Sequence, residues 1–70
     1  MLVKKIFTKE IIDSQGDKVG KIADIDVDMS NGTINFVVLS TGVFAKREMK
    51  LDKIKTIGDT IILNVKKDEI

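Results

Sequence analysis

Histidine and cysteine are both missing from this 70-residue chain, and so are proline, tryptophan and tyrosine. Without cysteine there can be no disulfide and no thiolate metal site, and nothing marks the chain as secreted. Without histidine as well, three common catalytic devices lose their main players: the histidine base, the cysteine nucleophile and the zinc-bound water. With three phenylalanines as the only aromatics, the stacking platforms of single-strand nucleic-acid binders are thin. Long apolar runs are lacking too. The longest, Phe36 to Leu39, falls far short of the roughly 20 residues that a membrane helix needs. No signal-peptide pattern is present, so a cytoplasmic location is expected. Charge of one sign is also absent: 12 lysines and arginines against 11 acidic residues leave a net +1. That balance provides no global attraction to nucleic acid or anionic lipid.

What the chain does contain is mixed charge, at 33% of residues, over an apolar set dominated by isoleucine and valine. Lysine-rich, isoleucine-rich usage with few thermolabile side chains suits a thermophile, and an AT-rich genome would give the same bias. An archaeal source is expected. Seventy residues allow one domain, 1–70, that buries only about 60% of its unfolded surface, so the core must be thin.

The apolar segments are short, β-branched and alternating, which predicts strands rather than helices. Glu10-Ile11-Ile12-Asp13 reads as a first strand ended by a turn at Asp13-Ser14-Gln15-Gly16, with Gly16 supplying a positive φ. Val19 to Met29 reads as the second strand. From Ala23 onward it places Ala23, Ile25, Val27 and Met29 on one face and Asp24, Asp26 and Asp28 on the other. Val19 and Ile22 are out of phase, and a bulge or bend at Gly20 would restore both to the core. Asn31-Gly32 is the strongest hairpin signal. A third strand follows from Thr33 to about Thr41, with Ile34, Phe36 and Val38 on one face and Val37 and Leu39 on the other. Being apolar on both faces, it must be covered or meet a partner. Gly42-Val43-Phe44-Ala45 reads as an apolar loop, and Lys46 to Leu51 as a strand with Met49 and Leu51 inward. Asp52-Lys53-Ile54 fits one helical turn, Gly58-Asp59 a tight hairpin before Thr60 to Val65, and Lys66 to Ile70 a frayed tail. The expected fold is all-β: a small antiparallel β-barrel of five to six short strands.

The run Ile11-Ile12-Asp13-Ser14-Gln15-Gly16, continued by Lys18-Val19-Gly20-Lys21-Ile22 and the Asp24-Ile25-Asp26-Val27-Asp28 strand leading to Gly32, resembles the opening of a PRC-barrel domain. That family is named after the photosynthetic reaction centre H subunit. Met49-Lys50-Leu51, Ile54 and the Ile57-to-Leu63 unit also sit where the family places its closing strands, so the likeness covers nearly the full chain. Members often carry a glycine just before the first strand, where this chain has Thr8 and Lys9. The shared positions are structural turns (Gly16, Gly20, Asn31, Gly32, Gly58) and strand patterns, not catalytic motifs. The resemblance implies an adaptor. The family includes the reaction-centre barrel, the C-terminal domain of a bacterial ribosome maturation factor that binds a ribosomal protein, and stand-alone archaeal proteins of this length, some linked to cell division. Fold analogy does not choose among partners.

Asp24, Asp26 and Asp28 invite comparison with a calcium loop, but the EF-hand glycine would fall at Met29 and its bidentate glutamate at Asn35. Carboxylates on one strand face project in parallel about 7 Å apart and do not wrap an ion. No metal site and no cofactor is expected. Paired carboxylates would need a pocket to act as acid and base, and a small filled barrel has little room for one, so no enzyme is expected. Lys46, Arg47, Lys50, Lys53 and Lys55 form the most basic segment. Glu48 and Asp52 interrupt it and no aromatics interleave with it, so it reads more readily as a solvated face than as a phosphate track. Val43 and Phe44 remain: either an exposed anchor, or a cap folded back over a barrel end. If Leu39 and Val37 face outward they join the anchor; Met1-Leu2-Val3 and Phe7 could cover that face instead. The residues therefore propose an interaction module that acts with a protein partner or as a homodimer, its contact set being Leu39, Val43, Phe44, Lys46, Arg47 and Lys50. The alternative is an RNA- or ribosome-associated barrel using the same basic segment.

Overall fold

A computed structural model describes residues 1–70. Six strands form one sheet: β1 (Glu10–Ile12), β2 (Lys18–Asp28), β3 (Thr33–Ser40), β4 (Lys46–Met49), β5 (Ile54–Ile57) and β6 (Ile61–Leu63). A helical turn, α1 (Val3–Ile6), precedes them, and short 3-10 turns occupy Leu51–Lys53 and Lys67–Glu69. The strand order is β4-β3-β2-β1-β6-β5. Four neighbouring pairs are antiparallel, but β1 and β6 run parallel, with Ile11 opposite Ile61 and Ile12 opposite Ile62. The all-β, mainly antiparallel expectation holds, with β1–β6 as its one parallel departure. The β5–β6 hairpin docks as a unit, and β6 reaches the core by lying beside β1. The ladder also stays open, with β4 and β5 at its two ends, joined through the 3-10 turn at Leu51–Lys53.

One core holds the sheet together: Ile11, Val19, Ile22, Val37, Leu39, Met49, Ile61 and Leu63. They come from five strands, so the sheet must wrap around them. Each contributes about 1.5–3 kcal/mol by its burial. Ile6, Phe7, Ile25, Ile54, Val65 and Ile70 pack around the cluster. Phe7 thus does help to cover the core, whereas Met1, Leu2 and Val3 are exposed.

Three bulges explain how β2 and β3 place their side chains. Ile11 pairs with Gly20 but Ile12 with Lys18, which leaves Val19 as the extra residue. Here is the expected irregularity beside Gly20. Gly20 has φ 147°, and a Cβ there would lie 1.9 Å from the Ser40 carbonyl oxygen. Only glycine lets the two backbones approach so closely. A second bulge leaves Ala23 over, between the pairs Ile22–Leu39 and Asp24–Val38. The face expected to run Ala23, Ile25, Val27, Met29 is therefore not a core face. Ala23 and Met29 are exposed, and Ile25 alone of the four packs on the core. The third bulge, at Asn35, takes Ile34 out of the Phe36–Val38 face and pairs it with Val27.

The turns follow the expected chemistry with one change of length. Gly16 and Gly32 hold φ of 85° and 73°. The β2–β3 connection spans Met29 to Gly32, the Gly32 amide donating to the Asp28 carbonyl at 2.8 Å. The Asn31 side chain accepts from the amide and hydroxyl of Thr33. Gly58 opens the β5–β6 turn, its amide donating to the Thr60 carbonyl.

The C-terminal segment is not the frayed tail its composition suggests. Ser14 donates to the Val65 carbonyl at 2.9 Å, and the Lys67 amide donates to Asp13 Oδ2 at 2.8 Å. Arg47 Nη2 reaches the Ile70 carbonyl at 2.6 Å, and Ile70 packs on the core, which accounts for an apolar residue there.

Candidate functional site

The site is built on the loop between β3 and β4. Its base is pinned: the Thr41 amide donates to the Ala45 carbonyl at 3.0 Å, and Ser40 Oγ to the Gly42 carbonyl at 3.3 Å. With the base closed, the two residues at the tip have nowhere to go but outward. Val43 is 86% exposed and Phe44 95%. The structure thus separates the two readings of Phe44: it does not fold back over the core.

Leu39 leaves the candidate set. It is fully buried, opposite Ile22 on one side and Arg47 on the other, and Val37 beside it is buried as well. The alternation of β3 sends both to the core, so neither extends the Phe44 surface. Lys46 stays in the set as the cross-strand partner of Ser40 at the foot of the loop. Arg47 is committed elsewhere, to the Ile70 carbonyl. Lys50 lies four residues beyond Lys46, about 13 Å along the strand direction, where β4 has left the sheet. It borders a cleft of about 220 Å³ with Asn35, Phe36, Glu48 and Met49. The fold therefore brings together Val43, Phe44 and Lys46. It adds Lys21, the other cross-strand partner of Ser40. Lys21 was missed because its place beside the loop depends on the register shifted at Val19 and Ala23.

A second, wholly polar cleft of about 460 Å³ is lined by Asp13, Gln15, Asp17, Arg47, Lys66, Lys67 and Asp68. Its floor is Asp13, a buried carboxylate. Asp13 Oδ1 accepts the amides of Gln15 and Asp17 at 2.8 and 2.9 Å, and Oδ2 that of Lys67. Burial alone would push this carboxyl up, but the amides of Asp17, Lys67 and Gln15, helped by the Lys67 charge, bring it below its ordinary value. Asp28 is also lowered, by the hydroxyl and amide of Ser30 and further by the Asn31 amide, against a partial loss of solvent. A general acid at neutral pH needs the opposite shift. Asp13 and Asp28 anchor backbone.

The aspartates of β2 are likewise occupied locally. Asp24 Oδ1 accepts from the Ile25 amide, Asp26 Oδ2 from the Asn35 side chain and Asp28 Oδ1 from Ser30. They do not converge on one point. No helix is long and apolar enough to cross a membrane.

No curated protein matches the chain significantly. The family model for the PRC-barrel domain matches residues 1–70, and the wrapped six-stranded sheet agrees with it. From its first residue to its last, the chain belongs to the PRC-barrel domain family.

Proposed function

We propose that this chain is a non-enzymatic protein-interaction module whose anchor is the Val43–Phe44 tip. The observation that carries the reading is an almost fully exposed phenylalanine held out on a loop with a closed base. Aromatic side chains of this kind dominate binding energy when a partner buries them. Lys46 and Lys21 at its foot supply a charged rim that orients an acidic partner. Archaeal cell division, one setting the family likeness suggests, would use such a module as an adaptor.

The test compares the wild-type protein with Phe44→Ser as immobilised bait, after nuclease treatment and in low and high salt. Because Phe44 makes little contact with the fold, the variant should keep the wild-type stability to within about 0.5 kcal/mol. A discrete protein held by the wild type in high salt and lost by Phe44→Ser supports the anchor. Equal retention by both overturns it. Recovery only of ribosomal material that salt or nuclease removes favours the RNA-associated alternative, since phosphate contacts weaken steeply with ionic strength.

A further inference from the structure

We propose that the module associates with copies of itself head to tail, the Val43–Phe44 tip of one copy docking on the Met29-bearing end of the next. This deepens the anchor reading above and rests on it. The two ends of β3 carry complementary surfaces. At the Ser40 end the cross-strand neighbours are Lys21 and Lys46, and the apolar tip is Val43 and Phe44. At the Thr33 end the neighbour is Asp28, with Asp26 opposite Phe36 just behind it. The apolar residues there are Met29, 88% exposed, and the directly paired Val27 and Ile34, 44% and 43% exposed. From Ala23 to Phe36 the chain has three aspartates and no lysine or arginine.

These two surfaces lie about 23 Å apart along β3, nearly three times the screening length of about 8 Å in physiological salt. They cannot satisfy one another within a single copy. A two-fold pairing that joins like ends would set like charge on like, lysines on lysines or aspartates on aspartates, so a basic end must meet an acidic end. A closed antiparallel dimer, in which both ends do so at once, is the competing outcome of the test. A head-to-tail contact instead places Lys21 and Lys46 against Asp26 and Asp28, and Phe44 against Val27, Ile34 and Met29. Such a contact is heterologous. With its halves at opposite ends of one axis, it propagates into an open chain and does not close as a dimer.

Sedimentation velocity over a concentration series tests this, using the wild type, Phe44→Ser and the pair Asp26→Lys with Met29→Ser. Circular dichroism checks folding, and Met29→Ser alone replaces the pair if the pair melts. The wild type should grow continuously past the dimer with concentration, and association should weaken by about tenfold or more between low and high salt. Each variant alone should stay monomeric, yet an equimolar mixture should form a heterodimer and stop, because one sound end of each kind remains. An association that ends at two copies, whether or not the acidic-end changes weaken it, overturns the head-to-tail chain while leaving the Phe44 anchor standing. Loss with the acidic-end changes but not with Phe44→Ser overturns both. A wild type that is monomeric throughout overturns self-association and leaves the anchor to the capture experiment.

Discussion

The Val37–Ser40 half of β3 and its Thr33–Phe36 half are made of the same kinds of residue, yet the first is core and the second is an arm. Val37 and Leu39 are fully buried; Ile34, three residues before Val37, is 43% exposed. The difference lies in the neighbours. The first half is paired on both sides, by β2 and by β4 from Lys46 to Met49, while the second is paired by β2 alone. β2 likewise has β1 beside it only as far as Lys21. Beyond the Ile25–Val37 pair, where β4 ends as well, the β2–β3 hairpin projects past the core with both outer edges free of a strand partner. A strand's own alternation decides which side chains share a face, but burial is decided by what other strands bring to that face.

The largest effect is expected where the two halves of the molecule are pressed together, at Gly20. Gly20→Ala would place a Cβ 1.9 Å from the Ser40 carbonyl oxygen, which is backbone and cannot swing aside. At φ 147° the new side chain is strained as well. We expect the variant to be largely unfolded, with its strand signal in circular dichroism lost, since overpacking costs of about 1–3 kcal/mol or more add to the backbone strain in a thin domain. A folded Gly20→Ala protein with an ordinary melt would show that the β2–β3 root can open. Next comes Leu39→Ala, which removes a fully buried side chain. It should cost about 2–5 kcal/mol in urea unfolding.

Turn chemistry and the core places of Val19, Ile22 and Met49 could be read from the sequence because they depend on local rules. Gly16 and Gly32 carry positive φ where expected, and Val19 and Ile22 both reach the core through the irregularity beside Gly20. Face assignments failed at Ala23 and Ile34, where single-residue bulges reverse the alternation and no local signal announces them. The parallel β1–β6 pair could not be read either, because it joins segments some fifty residues apart in sequence. At the site, Val43 and Phe44 were legible as an apolar pair in a glycine loop. Their exposure was not, since a cap and an anchor have the same composition. Arg47 and Leu39 were misplaced because distant segments decide their roles: β2 and β4 flank Leu39 and bury it, and Arg47 bonds to Ile70, 23 residues away in sequence.

Acid should divide the carboxylates as sharply as the neighbouring strands divide β3. Asp13 is buried in the body and ties the first turn to the C-terminal segment, and Asp28 closes the arm's own turn. Both carboxyls are lower in the fold than in the unfolded chain. Their stabilisation is therefore complete above the ordinary carboxylate range and is lost as pH falls through that range to the depressed folded values. The melting temperature should hold steady from neutral pH down to about pH 5 and decline below about pH 4. Asp13→Asn should lower the melt at pH 7 and flatten that acid limb, because it removes the charge that three amides share. Asp28→Asn should do the same more weakly, since the arm contributes little to the core. Equal effects would mean that the arm and body melt as one tightly coupled unit.

The smallest effect is expected on the arm, and it sharpens the comparison most. Val27→Thr with Ile34→Thr keeps β-branched side chains on a half-exposed cross-strand pair, so strand preference is preserved and only apolar surface is lost. Were these residues core, two such changes would cost several kcal/mol. As arm residues they should change stability, measured on dilute protein, by no more than about 0.5 kcal/mol each. Measured on concentrated protein, the same substitutions should lower the melt further, because association of copies stabilises only the folded state and weakens when the arm is less apolar. A cost that is large and independent of concentration would place Val27 and Ile34 in the core and leave β3 without two unlike halves. A cost that appears only with concentration would show that the arm's apolar pair is buried by another copy of the chain.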